Sequence, residues 1–211
     1  MTLDQLLGLA ISNRWEVLAV IAGIASVYLS TRENIWSWPT AIVNVSLYFV
    51  VFLEAKLYAD MGLQVVYLVL SVYGWYEWLY GGEHRTALHV SRVTRSLGVR
   101  LLLIGIATAA ILGTILARFT DAALPYLDSA TTSTSLVAQW MMTRKILENW
   151  AVWVVVDVVY IGMFIYKQLY LTAGLYAVFL VLAVMGFRTW KRSLAAREQG
   201  AAQMTLGVER A

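Results

Sequence analysis

The chain has 211 residues, of which 60% are hydrophobic and only 14% charged, with a formal net charge of +3 and a mean hydropathy of +0.68. That balance belongs to an integral membrane protein and leaves no stretch for a separate soluble domain. With no cysteine in the chain, disulfides, thiolate metal sites and cysteine nucleophiles are excluded, and basic residues that sit beside apolar spans read as orientation signals, not as a nucleic-acid surface.

The first thirteen residues carry Asp4 but no Lys or Arg and run into the first span without a cleavage-like site, so no signal or transit peptide is expected. Apolar runs of hydrocarbon length predict seven spans, at about 15–31, 36–53, 59–79, 98–117, 130–143, 149–166 and 170–190. The fifth is short and rich in Thr and Ser. Seven spans sort the basic residues unevenly. Twelve of the 16, among them Arg32, Arg85, Arg144 and Lys191, fall on one face, and only Arg14, Lys56, Arg118 and Lys167 on the other. The positive-inside rule makes the first face cytoplasmic, with the N-terminus outside and the C-terminus inside.

A repeat appears at an offset of 112 residues. Between Tyr58–Trp78 and Tyr170–Trp190 ten of 21 positions are identical, including the Tyr, both Gly and the Trp. The same offset pairs Trp38 with Trp150, Tyr48 with Tyr160 and Phe52 with Phe164. Four spans separate each residue from its mate, so the two halves share one orientation and span four inverts the chain between them. The expected fold is an all-α membrane protein of seven transmembrane helices, built as two parallel three-helix repeats joined by a linker helix. Residues 1–80 form the first bundle, 81–120 a cytoplasmic loop and the linker, 121–190 the second bundle and 191–211 a polar, Ala-rich cytoplasmic tail.

Within Trp150–Tyr166 one carboxylate, Asp157, interrupts the apolar run. At 1.5 Å per residue it lies roughly 12 Å into the helix, where an acid is tolerated only in a bundle interior or watery cavity and marks a pathway or ligand site. Trp150, Trp153, Asp157, Tyr160 and Phe164 share one helix face. At the matching rhythm, span three offers Gln64 and Tyr67, span five Gln139 with Thr132 and Ser135, and span seven Tyr176 and Phe179. Asn44 is the polar residue of span two, although Val45 is the repeat mate of Asp157. Rings and amides around one acid suit a flat, polar and cationic solute. Asn44, Gln64 and Gln139 are equally readable as glue between helices. Trp36, Trp38, Trp78, Trp150 and Trp190 near span ends read as interface-belt residues. Gly62, Gly74, Gly174 and Gly186 read as points of close helix contact, and His84 and His89 as solvated loop residues.

The chain has no zinc-protease, phosphate-loop or nucleophile-elbow motif, so no enzyme activity, catalytic residue, metal or cofactor is expected. Several segments resemble bacterial PnuC nicotinamide riboside transporters. They are Tyr58–Tyr67 (YADMGLQVVY), Tyr73–Trp78 (YGWYEW), Ser135–Trp150 (SLVAQWMMTRKILENW), Trp153-x-x-x-Asp157 and Gly186–Trp190 (GFRTW). The resemblance covers about residues 14–192 and implies a SWEET-related fold. It further implies uptake of nicotinamide riboside across the inner membrane by facilitated diffusion with alternating access, a homotrimer, and a functional link to a cytoplasmic riboside kinase that traps the substrate. It places Trp153 and Asp157 in the family's sixth-span pattern and Gln64, Tyr67, Gln139 and Asn44 in substrate-facing segments; Tyr160 and Tyr176 join them from the shared face. Relatives on this scaffold carry thiamine or riboflavin. Proton-coupled uptake through Asp157 and a vitamin-binding receptor without transport are the competing expectations.

Overall fold

The computed structural model describes residues 14–54, 58–120, 124–166 and 168–208. The expectations for the first thirteen residues and for Lys56 and Lys167 lie outside them. Among the described residues the fold is all-helical: α1 (Arg14–Thr31), α2 (Ser37–Glu54), α3 (Tyr58–Tyr80), α4 (Arg95–Phe119), α5 (Pro125–Thr143), α6 (Asn149–Tyr166) and α7 (Tyr170–Val208). Five of these, α1, α2, α4, α6 and the Thr172–Gly200 part of α7, are long and apolar enough to cross a membrane.

Helix α5 falls outside that set because it is rich in hydroxyls, and most of the buried ones bond to backbone carbonyls, Ser129 Oγ being the exception among the described residues. Thr131 Oγ1 donates to the Leu127 carbonyl at 3.0 Å, Thr134 Oγ1 to Ala130 at 2.7 Å, and Ser133 Oγ to Gly105 of α4 at 2.8 Å. Such bonds let a polar helix lie inside a bundle with few stranded donors. Pro125, at the first turn where no backbone donor is needed, starts α5 about one turn earlier than the hydropathy suggested. Helix α3, with Asp60, Gln64 and Glu77, falls outside the apolar set too. Residues after Trp190 continue the last helix, so that α7 is 39 residues long, roughly 58 Å at 1.5 Å per residue, because Ala, Arg, Glu and Gln there are good helix formers.

Helices adjacent in sequence pack in the order α1, α2, α3 and again α5, α6, α7, and the crossings α1 with α7 and α3 with α5 join them. Helix α4 packs against α5. Many contacts recur at the 112-residue offset. Trp38 meets Trp78 edge-on at 5.3 Å, and Trp150 meets Trp190 edge-on at 5.4 Å. Trp78 Nε1 donates to the Met142 carbonyl at 3.1 Å, and Trp190 Nε1 to that of Ser30, the repeat mate of Met142, at 3.0 Å. Tyr48 stacks on Phe52 at 5.6 Å as Tyr160 does on Phe164 at 5.8 Å.

These contacts correct two expectations. Trp38, Trp78, Trp150 and Trp190 are core residues, each 3% exposed or less, and of the five tryptophans read as a belt only Trp36, 65% exposed, is placed for an interface. Their rings fit because Gly74 and Gly186 leave room: a Cβ at Gly186 would meet Trp150 ring atoms at 2.5–2.7 Å, and one at Gly74 would overlap Trp38. Gly62 and Gly174, by contrast, face nothing within 4 Å and bring no helices together among the described residues.

The tryptophans fill the end of the bundle at which the α1–α2 turn, the α5–α6 turn and the connector 81–94 meet. The connector leaves α3 through Gly81-Gly82, returns under it with Leu88 N donating to the Trp78 carbonyl at 3.1 Å, and forms one parallel bridge between Ser91 and Ile146. His84 and His89 are exposed on it, as expected.

Candidate substrate site

Away from the tryptophan layer, α2, α3, α5, α6 and α7 carry a second group of polar and aromatic side chains. At its centre is Asp157 of α6, 3% exposed. Among the described residues no hydrogen-bond donor or cation reaches its carboxylate. One turn on, Tyr160 packs against Tyr176 of α7 with ring centroids 4.7 Å apart, and Phe164 lies 5.3 Å from the same ring. Phe179 adds an edge contact to Tyr176 at 5.9 Å. The Tyr160 hydroxyl lies beside Thr131 and Thr132 of α5. Tyr48, Tyr67, Tyr160 and Asp157 all lie close enough to the Tyr176 hydroxyl to act on it electrostatically. Four tyrosine rings and an acid from four helices therefore converge.

Tyr67 of α3 is fixed by Ser135 of α5, their hydroxyls 2.8 Å apart. Ser135 Oγ donates to the Thr132 carbonyl, so Tyr67 is the donor in that pair. The direction has a testable consequence. Tyr67→Phe leaves Ser135 its own carbonyl bond and is expected to cost about 1 kcal/mol, whereas Ser135→Ala strands the Tyr67 hydroxyl and is expected to cost about 1–3 kcal/mol. Thermal melting of the purified variants reads the order directly.

Of the residues singled out from sequence, Asp157, Tyr160, Tyr176 and Tyr67 are brought together. Trp153 is half-buried and packs against the tryptophan core, one turn before Asp157 on α6. Gln64 and Gln139 are half-buried, and neither side chain bonds another described side chain or carbonyl. Asn44 is occupied: its Nδ2 donates to the Ala19 carbonyl at 2.6 Å and ties α2 to α1. Tyr48 and Thr131 went unnoticed. Tyr48 carried a signal, since it is the repeat mate of Tyr160; Thr131 carried none, as one of seven serine and threonine hydroxyls on α5. A separate groove, lined by Leu124, Leu127, Val158, Val159, Gly162, Met163 and Tyr166, is mostly apolar and offers a polar solute few partners.

A helical bundle with five helices of membrane length defines a multi-pass membrane protein, and within it an acid without a partner among the described residues lies beside stacked rings. The family model described as "Nicotinamide mononucleotide transporter" matches residues 13–192, and the chain belongs to that family. It is 29% identical over 210 residues to the nicotinamide riboside transporter PnuC of Escherichia coli K12, covering 88% of this chain and 87% of that one. It is 25% identical over 181 residues to the riboflavin/roseoflavin transporter RibM of Streptomyces davaonensis, covering 83% of each. A crystal structure of the vitamin B3 transporter PnuC superposes with a TM-score of 0.69 at 24% identity, over 89% of this chain and 86% of that one, and shares the fold.

Proposed function

We propose that this chain carries nicotinamide riboside into the cell by facilitated diffusion, holding it between two halves that open in turn to either side. The observation that carries the reading is Asp157, buried without a partner among the described residues, beside Tyr160 and Tyr176. A pyridinium ribonucleoside supplies what that group lacks: a flat cation for the rings, hydroxyls for the carboxylate, and a positive charge to balance it. The name of the Escherichia coli relative supports the same substrate.

The family description speaks of the mononucleotide, but the charge around the site favours the riboside. Helices α2, α3, α5 and α6 contain no Lys or Arg. A phosphate would add about −1.5 to −2 charges next to an uncompensated carboxylate. The RibM relative supports riboflavin as the second reading; riboflavin is uncharged and gains less from Asp157. Thiamine, being cationic, is the closer chemical competitor.

In the arrangement proposed, α1–α3 and α5–α7 are parallel, SWEET-like repeats and α4 the linker, within the boundaries 1–80, 81–120, 121–190 and 191–211; the contacts recurring at the 112-residue offset support it. All seven helices then cross the inner membrane, with the connector and the end of α7 in the cytoplasm. A homotrimer and a cytoplasmic riboside kinase that traps the substrate complete the proposal. Asn44, Gln64, Gln139 and Trp153 line the path with the central tyrosines. Substrate titration followed by tryptophan fluorescence tests the charge argument: the riboside should bind at least about tenfold more tightly than the mononucleotide, a gap of about 1.4 kcal/mol. Equal affinity for the two sinks it. Uptake that stops when the pH gradient is collapsed would replace passive carriage with proton coupling through Asp157, and saturable binding without transport would make the chain a receptor.

A further inference from the structure

The 112-residue offset brings Glu33 and Lys145 to the same place in two turns, α1–α2 and α5–α6. The turns are built alike. Each residue has a left-handed backbone, φ 53° at Glu33 and 48° at Lys145, a conformation non-glycine residues rarely adopt. Just before each, a threonine hydroxyl caps the helix: Thr31 Oγ1 donates to the Tyr28 carbonyl and Thr143 Oγ1 to that of Trp140, both at 2.7 Å. What differs is charge. The two side chains meet across the pseudo-symmetric junction, Lys145 Nζ 3.3 Å from Glu33 Oε2 and 4.5 Å above the centre of the Trp78 ring. Side-chain exposure is 8% for Lys145 and 21% for Glu33. Burial pulls the Lys145 ammonium below the usual lysine range and Glu33 pulls it back.

The turns also differ in anchorage. The Lys145 turn is laced to the connector: Ser91 N donates to the Lys145 carbonyl at 3.0 Å, Leu147 N to that of Ser91 at 2.9 Å, and Val93 N to Glu148 Oε2 at 2.9 Å. Outside its own helix pair, the described hydrogen bonds of the Glu33 turn are the ion pair to Lys145 and the Trp190 indole on the Ser30 carbonyl.

We infer that the Glu33–Lys145 pair is a latch closing the connector end of the carrier, with the 143–149 turn as a fixed jamb and the 31–37 turn as the moving leaf. The inference rests on the carrier reading above. An ion pair suits a latch that must open repeatedly: closed, it fixes the register of two otherwise similar turns, and opened, water takes up both charges, so the net cost of parting them is small. Trp78 stays under Lys145 and keeps that side chain on the jamb as the leaf departs.

Removing the acid should unlatch the end, because Lys145 is then a buried charge without a partner. Hydrogen exchange of the full-length protein in lipid nanodiscs reads this. In Glu33→Gln the amides of 31–37 should exchange roughly tenfold faster, equivalent to about 1.4 kcal/mol, while those of 143–149 stay at the wild-type rate. Lys145→Met, which keeps the stem on Trp78 and leaves only the more exposed Glu33 unpaired, should give the same pattern with a smaller change. The exchanged pair, Glu33→Lys with Lys145→Glu, should restore protection. No change at 31–37 in either single variant, or equal loosening of the two turns, overturns the latch. Exchange requires no substrate, so the result is separable from whether nicotinamide riboside is the cargo.

Discussion

Asp157→Asn is expected to lower uptake of nicotinamide riboside about 100-fold and, in the same protein, to raise the melting temperature. Both follow from one geometry. The carboxylate is buried and has no partner among the described residues, so the empty protein carries the cost of a desolvated acid that the bound cation offsets. Truncating one member of a buried charged pair costs about 2–5 kcal/mol, and 100-fold is about 2.7 kcal/mol. Without substrate the same replacement removes a penalty, and Asp157→Leu should stabilise further by completing an apolar face. Were Asp157 instead a hydrogen-bonded structural acid, both replacements would lower the melting temperature. Uptake and thermal melting of one preparation decide between the two.

Gly186→Val is expected to be among the most damaging single changes in the molecule, with Gly74→Val close behind. Each glycine lies under a buried indole, Trp150 at Gly186 and Trp38 at Gly74. Those rings cannot swing away, because each is packed edge-on against the next tryptophan. Overpacking a filled core costs about 1–3 kcal/mol, and more where nothing yields. The control is internal: Gly62→Ala and Gly174→Ala occupy repeat-related positions with nothing within 4 Å, and should be neutral or gain up to about 1 kcal/mol in helix propensity. Melting temperatures of the four variants should separate into two groups. A shared response would mean that all four glycines play one role.

That contrast also marks how far the sequence could be read. The helices were legible because hydrocarbon imposes a length on each, and the repeat was legible because Gly, Tyr and Trp recur at one offset. Asp157 stood out because an acid within an apolar run has few uses. The tryptophans were misplaced as a belt for a physical reason: a tryptophan near a span end sits at the interface unless a gap across the helix contact admits its ring, and that gap belongs to Gly74 or Gly186 on another helix. Asn44 was legible as the polar residue of span two, but its bond to the Ala19 carbonyl was not, since nothing in its own helix points to that partner. Lys145 counted only among the basic residues of one face and Glu33 drew no reading, because their meeting depends on two turns folding together. Local pattern identified the elements; pairings between halves needed coordinates.

The most direct test of the carrier reading is uptake of labelled nicotinamide riboside into liposomes holding the purified protein, without a pH gradient and with unlabelled nicotinamide riboside, thiamine or riboflavin as competitors. The account predicts saturable uptake that only nicotinamide riboside suppresses. Saturable binding with no label inside the liposomes, or uptake that riboflavin or thiamine abolishes, would contradict it.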